Sequence, residues 1–138
     1  MIYDIFEGIA TAENWGFFYG RKDFQNLFDE LGNNKVQMFL DPVISTKNRT
    51  SSGNNTVDSV TYTGNFLLLL SSDIEEDYNT RYLNHIKPIS ETEIQLIEQS
   101  ILCTGVATID KWSETEVINV FDYNFDGLAI NYSITIDA

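Results

Sequence analysis

Basic residues are scarce in this chain: eight Lys and Arg stand against 21 Asp and Glu in 138 residues, a formal net charge of −13. That balance excludes the usual duplex-binding surface, where clustered cations neutralise phosphates. It equally disfavours docking on an anionic membrane. Cysteine is nearly absent, and the single Cys103 can form neither an internal disulfide nor a thiolate zinc site. Its position at the end of an apolar helical stripe predicts a buried, inert thiol. His85 is the only histidine. It has no G-x-S-x-G elbow or metal-ligand spacing around it, and it reads as a capping or surface residue before Pro88. No Gly-rich phosphate loop is present. The longest apolar run, Phe66 to Leu70, is far too short to span a bilayer. The opening MIYDIFEG carries acids and no basic stretch, unlike a secretory leader. These absences argue against an enzyme and leave no cofactor implied.

What is present is a core. Hydrophobic content of 43%, with nine Phe, seven Tyr and two Trp, predicts one folded domain over residues 1–138. Ile2, Ile5, Phe6 and Ile9 recur at i, i+3, i+4 and i+7, which predicts a short N-terminal helix. It docks on its own sheet or, less favoured, on a neighbouring subunit. Trp15, Phe17, Phe18 and Tyr19 form an aromatic cluster, read as a short strand or core plug rather than a ligand platform. Asp23 caps a second short helix whose stripe is Phe24, Leu27, Phe28 and Leu31. Lys35 to Val43 reads as a strand with Val36, Met38 and Leu40 on one face, ended by Pro42.

Ser45 to Thr56 contains no aliphatic residue, so it reads as a loop: a mobile hairpin tip, or an arm that orders on a partner. Its Lys47, Asn48 and Arg49 are candidate partner contacts. Val57 to Leu70 is the most hydrophobic strand. Val60, Tyr62, Phe66, Leu68 and Leu70 share a face, Leu67 and Leu69 fill the other, and a central place in the sheet follows. Gly64 inside it marks a bulge or a close approach. The charged stretch Ser71 to Asp77 reads as a solvated turn, and Tyr78 to Ile86 as a helical turn stopped by Pro88. Ser90 and Glu93 form a capping box, with Ile89 and Ile94 as the hydrophobic staple. They predict a helix start there, with Ile94, Ile97 and Ile101 on its buried face and Gly105 as its stop. Val106 to Trp112 then reads as a strand and Ser113-Glu114-Thr115 as a turn.

The last stretch admits two readings. Asp122, Asn124, Asp126 and Gly127 fall in the D-x-N-x-D-G order of a calcium loop. Counting from Asp122, however, the position of the bidentate Glu holds Ser133. The flanks also alternate with period two: Leu128, Ile130, Tyr132, Ile134 and Ile136 against Ala129, Asn131, Ser133, Thr135 and Asp137. A C-terminal β-hairpin with Asp126-Gly127 at its turn fits better than a metal site. A looser cation site at Asp122, Asn124 and Asp126 stays open, and the same three residues are candidate partner contacts on an acidic turn.

The predicted class is α+β, a mostly antiparallel sheet of about five strands with two to three helices packed on one side. This order of elements, with its polar Ser45–Thr56 loop, acidic hairpin and acidic surface, resembles that of the small subunits bacteriophages place at the top of the tail: tail terminator, tail-completion and neck (head–tail joining) proteins. The aromatic Trp15–Tyr19 segment departs from that pattern. The resemblance implies a structural virion protein at the tail or neck, assembled in the host cytoplasm. It further implies a homo-oligomeric ring, six-fold or twelve-fold, that caps or joins the tail and contacts other tail or neck proteins. It brings no sequence-specific nucleic-acid or membrane binding. The alternative is a small ligand- or cation-binding accessory module.

Overall fold

The computed structural model describes residues 2–20, 36–49, 56–71, 77–120 and 125–137. The predicted helix at Asp23–Leu31, residues 50–55 of the predicted Ser45–Thr56 loop, most of the Ser71–Asp77 run, and Asp122 and Asn124 lie outside them. The chain is α+β, as its patterning predicts. The first helix, α1, covers Ile2–Ala12 and buries Ile2, Phe6, Ile9 and Ala10. Phe6 packs on Phe66 and Tyr132 at ring-centroid distances of 5.0 and 5.3 Å, so the stripe docks on the chain's own sheet. Asn14 then takes a left-handed φ of 59°, which short polar side chains tolerate, and turns the chain into the aromatic segment. That segment is a strand, β1 (Gly16–Tyr19), parallel to β2 (Gln37–Leu40). Its aromatics serve packing on both faces. Tyr3 of α1 meets Phe17 edge-on at 5.2 Å, while Phe18 stacks on Phe39 at 5.2 Å.

The central strand is β4 (Val57–Ser71), as predicted. On one side it pairs along its length with β6 (Phe125–Asp137), from Ser59↔Asp137 to Ser71↔Phe125. On the other it pairs successively with β2 and with β3 (Ile44–Arg49), both antiparallel. Pro42 lies in the break between β2 and β3 and ends β2, consistent with its missing N–H. The outermost strand past β6 is β5 (Ala107–Val120), giving the order β1-β2-β4-β6-β5 with β3 beside β4. Among the described residues, six strands thus occupy five positions across the sheet. The stripe Leu128, Ile130, Tyr132, Ile134 and Ile136 is buried in full. At the β2 end the opposite face is buried too, through Phe39, Leu67 and Leu69.

Four local expectations are corrected. Ser45–Arg49 is part of β3, not a loop. All six β3 residues are exposed, so backbone pairing and polar cross-strand contacts hold the strand without aliphatic burial. Ser113-Glu114-Thr115 lies inside β5, paired with Asn131, Ile130 and Ala129. Asp126-Gly127 is not the hairpin turn: both residues belong to β6, opposite Leu70 and Leu69. The connection between β5 and β6 falls at residues 121–124. Cys103, finally, is exposed past the last buried turn of its helix.

The largest correction concerns the second helix, α2, which runs without interruption over residues 78–102. Its N-cap is Asp77, whose carboxylate accepts from Thr80 N at 2.7 Å, and Ser90 lies inside the helix. Pro88 does not stop it. A proline ring ordinarily collides with the carbonyl four residues back and removes one hydrogen bond. Here Tyr82–Ile86 forms a π-helical segment, closed by Lys87 N donating to Tyr82 O, and this widened backbone comes just before Pro88. A second such segment, Ile89–Glu93, ends with Ile94 N donating to Ile89 O. In a regular helix Ile89 and Ile94 would diverge by about 140° around the axis. The π turn restores them to one face, so Ile86, Ile89, Ile94, Ile97 and Ile101 are all buried against the sheet. Gly105, at φ 76°, follows the helix end.

Candidate functional site

Helices α1 and α2 cover one face of the sheet. The other face carries hydroxyls and amides for much of its length, because alternation along β3, β4, β6 and β5 brings them into rows. One row is Thr46, Thr61, Thr135 and Thr108; the next is Ile44, Thr63, Ser133 and Lys111. A third holds Asn65, Asn131 and Ser113. Between the second and third rows lies an open trough of about 640 Å³, walled at one end by Pro42 and Ile44 and bounded at the other by Lys111. Its floor includes Gly64 and the backbone of Tyr132 and Trp112, whose side chains belong to the helix-bearing face.

Hydrogen bonds tie this face together across four strands. Asn48 Nδ2 donates to Ser59 Oγ and Thr61 Oγ1, each at 3.0 Å. Thr61 and Thr135 hydroxyls lie 2.8 Å apart, and Thr135 donates to Asp110 in a short contact. A hydroxyl has one proton, so Thr61 donates to Thr135 and the chain runs one way, from amide to carboxylate. The period-two pattern of β6 anticipates part of this face; the β3 contribution is invisible to a search for apolar alternation.

The candidate contacts from sequence do not converge. Lys47, Asn48 and Arg49 are exposed on β3, where Lys47 pairs with Val60 near one end of β4. Asp126 sits beside Leu70 at the other end. Asp126 is also fully buried, with Oδ2 3.2 Å from Nε of buried Arg81 in α2. It is therefore not a surface carboxylate for a partner or a cation. Its charge is compensated internally, and the pair joins α2 to the start of β6. Arg81 was not anticipated; an isolated Arg in a polar helical turn gives no sign that it will be buried. Among the described residues no group of three His, Cys, Asp or Glu could hold a metal ion. His85, partly buried, belongs to the first π segment of α2 rather than to a cap.

No family model matches this sequence, and no curated protein matches it. The chemistry of the site therefore stands on its own geometry. Titration on the helix side is shaped by crowded carboxylates. Burial, then Glu13, raises the pKa of Glu93; burial, then Glu114 of β5, raises that of Glu98. A smaller groove of about 310 Å³ between α1 and α2 runs past Ile5, Gly8 and Leu96. Among the described residues, no helix is long and apolar enough to cross a membrane.

Proposed function

We propose that this protein is a structural subunit of a bacteriophage head–tail junction, acting in the virion as one member of a ring that caps or joins the tail. The observation that carries the reading is the one-sided sheet. Helices cover one face, and the other is a broad field of Thr, Ser and Asn tied by hydrogen bonds and nearly free of cations. Such a face suits the wall of a channel through which DNA passes, because it offers no clustered Lys or Arg to hold phosphates. The net charge of −13 acts in the same direction. The role is structural rather than catalytic. Its partners are further copies of the chain and other tail or neck proteins, met during assembly in the host cytoplasm.

Light scattering and electron microscopy of the purified protein test the reading. Rings with a central opening are expected, alone or on addition of tails lacking their terminal subunit. A monomer under both conditions overturns it. The trough of about 640 Å³ favours a second reading, a small ligand-binding module. That reading requires a monomer whose Thr63, Asn65 and Asn131 amide resonances shift saturably with a small polar ligand.

A further inference from the structure

Among the described residues three strands have an unpaired edge, β1, β3 and β5; β1 carries no charged residue, while β3 and β5 differ in charge. Strand β3 pairs only with β4, and its charged residues are Lys47 and Arg49. Strand β5 pairs only with β6, and it carries Asp110, Glu114 and Glu116 against a single Lys111. In a chain with 21 acids and eight bases, two of the bases lie in one six-residue edge strand. Molecules of such charge repel one another, so copies meet stably where the signs oppose.

We propose that β3 of one copy pairs with β5 of the next, continuing the sheet from subunit to subunit. Strand direction permits it. Strand β3 is antiparallel to β4, β4 to β6, and β6 to β5. Hence β3 and β5 run oppositely, and copies laid side by side with the same face inward meet in an antiparallel ladder. Side-chain direction also permits it. Lys47 lies opposite Val60, while Glu114 and Glu116 lie opposite Ile130 and Leu128. Those partners belong to the helix-bearing face, so the lysine and the two glutamates project on the same side of the joint. Lys47 lies level with Ala107 of its own copy, so it meets the glutamates of the next copy when β3 slides along β5, which staggers neighbouring copies along the strand direction. The contact is heterologous, with different surfaces on its two sides, the kind of contact that builds a ring when the rotation between copies closes. It also covers two strand edges that would otherwise recruit other chains.

The joint rests on the ring reading, and one experiment separates the two. Lys47→Glu and the double variant Glu114→Lys/Glu116→Lys are prepared, and association is followed by sedimentation velocity. Each variant alone is expected to associate at least about tenfold more weakly than the parent, because like charges then face each other. An equimolar mixture is expected to recover association, since alternating copies restore opposite charges at every joint. Recovery also shows that the variants are folded. Unchanged association of the single variants overturns the joint and leaves the ring standing, as does a mixture that fails to recover. A parent chain that stays monomeric at all concentrations, both alone and with tails lacking their terminal subunit, overturns both.

Discussion

At the scale of single residues, the buried Arg81–Asp126 pair is the most consequential contact. Removing one partner strands the other charge away from water, a change that costs about 3–5 kcal/mol. Asp126→Ala should therefore lower the unfolding free energy measured in urea by that amount, far more than the same change at an exposed turn aspartate would. Tyr132 behaves in the opposite sense. Its hydroxyl is buried without a hydrogen-bond partner among the described residues, and burial, then Asp41 and Tyr19, pushes its pKa well up. The folded protein keeps the proton, whereas the unfolded chain loses it near pH 10. Stability from this group is thus fully present below about pH 10 and is lost as pH rises above it. Tyr132→Phe should be neutral or stabilising at neutral pH and should unfold less steeply in alkali, as read by circular dichroism. Gly127 was placed at a turn by its sequence context. Its actual constraint is closeness: a Cβ there would run into the Leu68 carbonyl oxygen. No sequence pattern separates those two uses of glycine.

At the scale of elements, α2 shows how a locally strong signal is overruled. Ser90 and Glu93 meet every condition of a capping box, yet the helix begins at Asp77. Five buried isoleucines along residues 86–101 reward a continuous helix, and two π segments let it pass Pro88 and keep Ile89 and Ile94 aligned. Hydrogen bonds from Thr80 hold the Asp77 carboxyl below its ordinary pKa. Its contribution is present above about pH 4 and is lost as pH falls through the lowered value. Asp77→Ala should lower the melting temperature at pH 7, with the difference fading in acid. Ser90→Ala, inside the helix, should leave it nearly unchanged or raise it slightly. Calorimetry on the two variants distinguishes the true start from the apparent one. Strands β3 and β5 teach a related lesson: their polar edge segments look like a loop and a turn in sequence because pairing, not hydrophobic alternation, holds them.

At the scale of the whole molecule, a net charge of −13 places the fold under self-repulsion. Raising ionic strength from 0.01 to 0.15 M shortens the screening length from about 30 to about 8 Å. The melting temperature should rise over that range, and a flat response would show that the charges are already compensated locally. The class α+β, the central place of β4, the buried stripe of β6 and the docking face of α1 were all determined by residue order alone. Each is a periodic apolar pattern, and the free energy of burying it is local to its own element. Only the tertiary structure decided where α2 begins, that Asp126 is inside, that β3 exists and that a polar field spans four strands. Those outcomes depend on partners distant in the chain. Arg81 and Asp126 are 45 residues apart, and Thr61 meets Thr135 across 74. Such pairings leave no periodic trace in either segment, so they become visible only once the strands have been laid side by side.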